Sequence, residues 1–405
     1  MKFEKKHIFI LLFCTILLIL LIFSLIFLVE KNKSPVIAFY GLEEKIVKAL
    51  ESSFEKNSSN YFTKEKQKYS FLVLEEEESL ENHLKSNKDI AVVFSYGGAN
   101  QNSVSENALV FDKSILSVMP TSMKLASNNS LPILLNHLEI DINNNAFSKI
   151  DSKKIVDLDY VLNLGKNEDF RKDYQVNMTI IGESDKNLSY FLSAFIESRF
   201  GVDELNKLND FLTSNQIEIN YENLFEYPET QCLKSICDEL LNLKKEKLVH
   251  SEWEDMSFVD VQNYMETKQV AFTFMDLYSH REISYGIIKN YSETFFPSGR
   301  YKDYPKGRSL IVPTVMATCF ETSNKSVSKE CMKIVENMVS LKEQNILARD
   351  SGLAPVGSFA DTQDKQAYNV RLWAASSDSL AMDLYSAFTD SSARKAFFEF
   401  LRNYL

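Results

Sequence analysis

An α/β body divided into two lobes, carried behind an N-terminal transmembrane helix, is what the sequence predicts, and three observations predict it. The chain of 405 residues opens with a basic flank and an unbroken apolar run. Beyond that run, short apolar segments alternate with amphipathic ones, the pattern of parallel strands joined by crossover helices. The remaining body, about 370 residues, is longer than a single hydrophobic core usually grows, which favours two.

The apolar run comes first. Lys2, Lys5 and Lys6 precede a stretch from Ile8 to Val29 broken only by Thr15 and Ser24. At about 1.5 Å per residue it reaches roughly 33 Å, enough for a hydrocarbon core of about 30 Å. A cleaved signal peptide is the competing reading. Its apolar core is usually about 7–15 residues and ends in small residues, and Leu28 to Lys33 offers no such site. Cys14 is read as a lipid-facing thiol, since Phe13 stands where a lipoprotein signal wants a small residue. The lysine bias places the short end inside. The chain is therefore expected in the cell membrane as a single-pass protein with an extracytoplasmic body.

Strands and helices then alternate. Pro35 to Tyr40 reads as a first strand closed by Gly41, followed by a helix over 43–56 with Ile46, Val47, Leu50 and Phe54 on one face. Tyr69–Leu74 reads as the second strand. Glu75–Glu78 reads as the opening of a short helix, whose first turn favours negative charge. Asp89–Phe94 is the third strand, broken by Gly97 and Gly98. Further apolar runs cover 108–119 and 131–135, and from about 150 to 270 the pattern is mainly helical. Val270–Phe274 is another strand, Phe296 to Gly307 a hinge-like segment, and Leu310–Met316 an apolar run. Leu380, Leu384 and Phe388 mark one closing helix; Phe397, Leu401 and Leu405 mark a second.

Composition bounds the partners. The net charge of −11 excludes a broad phosphate-binding face, so no nucleic acid is expected. The five histidines are scattered without metal-ligand spacing. Ser326 and Lys329 have the Ser-x-x-Lys spacing of some acyl-transfer enzymes, which is read as chance in a chain rich in both. Asp141, Asn143 and Asn145 fall at the first three ligand positions of a calcium loop, but Ala146 replaces its glycine and Ser152 its bidentate glutamate. Catalytic residues, metal and cofactor are accordingly expected to be absent. Four cysteines in the body, Cys232, Cys237, Cys319 and Cys331, are compatible with two disulfides. A 319–331 bridge would clip a connection; a 232–237 bridge would lock one turn.

Several segments, in order, resemble the extracellular solute-binding proteins of ABC importers, especially the oligosaccharide-binding group. Val36–Gly41 with Ala49–Lys56 is similar to that family's first strand and helix, and Asp89–Phe94 to its third strand. Val118–Ser122 with Leu134–His137 resembles a crossover strand and its asparagine motif. Tyr264–Phe274 is similar to a later strand, and Leu347–Val356 to the Ala-x-x-x-Gly-x-x-Pro-Val stretch. The resemblance implies a periplasmic-binding-protein-like fold in which two α/β lobes close on a small solute. It divides the chain into an anchor at 1–34, one lobe at 35–120 plus about 296–342, and another at 121–295 plus about 343–405. It places Tyr40, Gly41, Ser95, Tyr96, Asp276, Tyr278 and Phe296 at the cleft, with Trp253 and Trp373 lining the second lobe. Departures are Glu266-Thr267 where the family has glycine, Asp276-Leu277-Tyr278 where it often has Gly-x-Trp, and the missing Tyr and Lys around Asn136.

The function implied is capture of a small solute, a sugar or oligosaccharide, for an ABC permease, by lobe closure and without chemistry. The alternative keeps the fold as an anchored scaffold or sensor, which a cleft of Leu and Phe without polar partners would favour. An envelope glycosidase, the third reading, needs two cleft carboxyl groups about 5–10 Å apart.

Overall fold

The computed structural model describes residues 15–18, 34–59, 69–117, 119–120, 128–150, 158–295, 310–311, 314–357, 364–376 and 380–405. Most of the expected span at 8–29 lies outside these residues; 15–18 are helical and exposed. Among the described residues no helix is long and apolar enough to cross a membrane.

The first sheet grows from the apolar runs the sequence displays. β1 (Val36–Tyr40) lies parallel to β2 (Ser70–Leu74) on one side and to β3 (Ile90–Tyr96) on the other. Helix α1 (Glu44–Ser58) buries Ile46, Val47, Leu50 and Phe54 on the sheet. Phe39 and Phe94 stack with ring centroids 5.7 Å apart, so neighbouring strands lock through their side chains. Beyond β3 come β10 (Thr314–Cys319), β4 (Leu131–Leu135) and β11 (Ala354–Pro355), all paired antiparallel.

The second sheet has the order β6 (Val176–Ile180), β7 (Val270–Asp276), β5 (Leu138–Asn143), β8 (Tyr291–Phe295). Its core is covered by the long helix α2 (Asp185–Phe200), which buries eleven consecutive residues, Leu188 through Ser198. A helix buried nearly all round belongs at the centre of a lobe.

Among the described residues the chain passes between the lobes at three places. The first is Asn136–His137, the two residues between β4 in one sheet and β5 in the other. The second leads from β8 to β10, and carries β9 (Leu310–Ile311), which pairs with β12 (Leu380–Ala381). The third leads from the first lobe's core, where Ala367, Val370 and Ala374 pack, to Leu384 in the second lobe's core.

The lobe bounds differ from those the resemblance implied. Residues 131–135 stand in the first sheet, and helices α5 (Leu341–Ser351) and α6 (Lys365–Ser376) join α4 (Lys325–Met338) in the first lobe's core. Sequence order concealed this because the chain stays in the first lobe past residue 120 and again past residue 342. The closing region also differs: Leu380 lies in a strand and Tyr385–Ala387 form one tight turn. Helix α7 (Ser391–Tyr404) is as expected, with Phe397 and Leu401 buried on the second lobe.

All four described cysteines are free and buried. Cys232 and Cys237 lie five residues apart on one helix, Gln231–Lys245. Five residues of helix rise about 7.5 Å, beyond the roughly 7 Å Cα separation a disulfide spans. Cys319 on β10 and Cys331 on α4 also remain thiols, and burial raises both, Cys331 to about 12. The expected bridges are therefore not formed.

Candidate functional site

The C-terminal ends of β1 and β3 meet the N-terminus of α2 and the segment 383–394 across the lobe boundary. Tyr40, Gly41, Glu76, Tyr96 and Gly98 come from the first lobe; Lys186, Tyr190, Asp383, Tyr385 and Arg394 come from the second. In open parallel sheets ligands gather outside the carboxyl ends of strands, and β1 and β3 end here.

Local sequence explains the placement. Gly41 turns the chain off β1 with φ +68°, and a Cβ there would meet a Glu76 carboxylate oxygen at 2.2 Å. Glu76 does not open a helix, as the acidic run implied. The helix starts at Leu80 behind an N-cap at Ser79, which leaves Glu76 in the preceding turn, free to reach the second lobe. Its carboxylate accepts a hydrogen bond from Tyr385 Oη and pairs with Arg394 at 3.1 Å. The guanidinium of Arg394 lies 4.1 Å from the Tyr385 ring centroid, a cation–π contact on a nearly buried arginine.

A second cross-lobe cluster sits beside the first. Lys186 Nζ donates to the Gly41 carbonyl at 2.6 Å and to Glu43 at 3.2 Å. The other carboxylate oxygen of Glu43 accepts from Tyr96 Oη at 2.9 Å. The rings of Tyr96 and Tyr385 lie 5.3 and 5.7 Å from the same ammonium. Burial raises the Tyr96 phenol well above its usual range, with Glu43 adding to it. Burial also raises the Tyr40 phenol, to about 12. Asp383 is held by Ser189 and the Ser386 amide, and burial raises its carboxyl. The phenols stay neutral donors at any ordinary pH. With its lobes so bridged the cleft keeps only about 40 Å³ of free space, far below the roughly 300 Å³ of a small-ligand pocket.

Of the residues expected at the site, Tyr40, Gly41 and Tyr96 line this cleft. Ser95 is buried in β3 between Tyr40 and Met316. Trp253 is not a cleft residue: it is fully buried in the second lobe, edge-on to Phe191. Asp276 is buried at the crossing, where it caps α3 (Leu277–Glu282) and accepts from Asn136 Nδ2 at 2.6 Å. Tyr278 faces a separate surface groove with Glu44, Lys48 and Glu282. Phe296 and the Trp373 side chain lie outside the described residues. Lys186, Tyr385, Arg394 and Glu76 were not anticipated. Lone charges far apart in sequence carry no periodic signal, and only the topology brings them together. The one local hint was the run Glu75–Glu78 beside a strand end.

A nearby cluster is structural in character. His280 meets Asp141 at 2.8 Å, and Gln366 of the first lobe donates to Glu139 at 2.6 Å. No group of His, Cys, Asp and Glu suited to a metal ion occurs among the described residues.

No family model matches the chain, and no curated protein sequence matches it. Solved structures do. The binding protein MsmE of Bacillus subtilis, in an open conformation, superposes with a TM-score of 0.68 at 11% identity, covering 92% of this chain and 93% of that one. RafE in complex with raffinose gives 0.60 at 14% identity over 92% and 98%. Iron-bound HitA from Pseudomonas aeruginosa gives 0.53 at 11% over 91% and 99%. These neighbours are binding proteins, and the chain has their two-lobed α/β fold. At such identities the likeness carries the fold.

Proposed function

We propose that this protein captures a small solute, a sugar or oligosaccharide, between its lobes and presents it to an ABC-type permease. One observation carries the reading: aromatic rings and hydrogen-bonding groups from both lobes converge at the carboxyl ends of β1 and β3. Faces such as Tyr96 and Tyr385 suit stacking on a sugar ring, while Glu76, Asp383 and Arg394 suit its hydroxyls. The likeness to RafE in complex with raffinose supports this choice of solute. Binding requires the lobes to part first, since 40 Å³ admits little more than water. Hinged opening about the three connections provides that room. In this reading residues 8–29 anchor the chain in the membrane with the body extracytoplasmic, beside the permease. The protein holds its solute and performs no reaction on it.

A second reading, an anchored scaffold or sensor, is favoured by one observation: the cleft is bridged by its own side chains. The lining itself is polar and aromatic, unlike the apolar cleft that reading anticipated. A thermal-unfolding screen of the detergent-solubilised full chain separates the two, using sugars, oligosaccharides, amino acids and polyamines. A solute at 100 times its Kd stabilises the fold by about 2.7 kcal/mol. A sugar hit abolished by Tyr385→Ala is expected. Silence across the panel from folded protein would favour the scaffold.

A further inference from the structure

We infer that the cleft contains a subsite for a primary ammonium group, and that Lys186 is its resident, tethered occupant. This goes beyond solute capture and holds whichever solute class the cleft accepts.

The argument begins with what surrounds Nζ. Lysine is ordinarily a solvated point charge on a flexible stem. Here the Lys186 side chain is only 20% exposed, and it leaves its own lobe to reach the other. Its ammonium meets the Gly41 carbonyl at 2.6 Å and the Glu43 carboxylate at 3.2 Å. Two tyrosine faces, Tyr96 and Tyr385, stand 5.3 and 5.7 Å away. A carbonyl, a carboxylate and two π faces are the elements with which proteins bind ammonium ligands.

The cage is also braced independently of the lysine. Glu43 accepts from Tyr96 Oη at 2.9 Å, Tyr385 Oη donates to Glu76, and the Gly41 turn is set by its own backbone. Three of the four cage components come from the first lobe and Lys186 from the second. The ammonium therefore enters the cage only when the lobes are closed. A tether keeps the local concentration of this ammonium high, on the order of millimolar or more. A free amine must compete with it, and a solute that carries an amine displaces it as it binds.

The test uses the full chain in detergent with n-butylammonium, which matches the lysine side chain, and n-butanol, which lacks the charge. Lys186→Ala empties the cage. Saturation-transfer NMR is expected to detect n-butylammonium on Lys186→Ala, at least 10-fold more weakly on the wild type, and n-butanol on neither. Adding Glu43→Gln to Lys186→Ala is expected to reduce the signal at least 5-fold. Lys186→Ser serves as the second emptying variant should the alanine form not fold. Equal signals on wild type and variant, no signal on either emptying variant, or n-butanol matching the amine would each overturn the assignment. Because the probe is an amine and the decisive protein is the variant, this outcome is separate from the sugar screen on the wild type.

Discussion

His280 shows how one buried pair imposes a pH dependence on the whole chain. Burial alone would lower its imidazole, but the Asp141 carboxylate 2.8 Å away outweighs it and raises the value to about 9. Glu139, fully buried beside them, is raised by that burial. Both groups hold protons in the folded state that the unfolded chain releases. The histidine's contribution is thus fully present below its unfolded value of about 6.5 and is lost as pH rises through about 9, while Glu139's is lost earlier, from the unfolded carboxyl value of about 4.3 upward. The histidine contributes at most about 3 kcal/mol over that window. Urea denaturation of the wild type is expected to show the decline, and His280→Gln to flatten most of it. A wild-type profile level from pH 6.5 to 9 would refute the pairing. Similar isolation hides Lys186 and Arg394 in the sequence. Each reads as an ordinary surface charge, and its partner lies more than 140 positions away.

At the scale of elements, the crossing between β4 and β5 depends on Asn136. Its Nδ2 donates to Asp276, while its Oδ1 accepts the amides of His137 and Tyr278. One side chain thereby fastens the end of β4 to the start of α3. Asn136→Ala leaves buried groups without these partners and is expected to cost about 1–3 kcal/mol in chemical denaturation. Asn136→Asp should be worse at pH 8 than at pH 5, since it sets a second carboxylate against Asp276. A cost below about 0.5 kcal/mol for the alanine variant would show that the crossing is fastened elsewhere. The strands were the legible part of the fold. β1, β3 and β7 are apolar runs bounded by turn residues, and a buried parallel strand has that look in any sequence. The asparagine at the crossing was visible through its motif, though its bonding was not. Trp253 was misplaced because a lone tryptophan packs against a ligand or edge-on to Phe191 through the same apolar ring. Glu76 was misplaced because an acidic run suits both a helix start and a turn.

For the molecule as a whole, the decisive question is whether closure is a position of two hinged lobes or a fixed packing. Gly98 provides the test. It follows β3 in the first lobe with φ +150° and ψ −163°, a region that essentially only glycine occupies. A Cβ there would stand 2.5 Å from the Ser386 carbonyl oxygen of the second lobe and 2.6 Å from its Cβ. Contacts so short cannot persist, and the neighbour is backbone, which cannot rotate aside. In hinged lobes Gly98→Ala acts as a wedge and parts them, breaking the Lys186 and Glu76 bridges together. Spin labels at the exposed positions Val73 and Ile217, one on each lobe, are expected to move apart in this variant, with a thermal transition within about 10 °C of wild type. In fixed packing the same methyl group would be absorbed as strain. The label distance would then stay unchanged while the transition fell further. The open variant should also bind the cleft's solute with a faster association rate and a weaker affinity, because it removes the need to open and hinders the closure that completes the site.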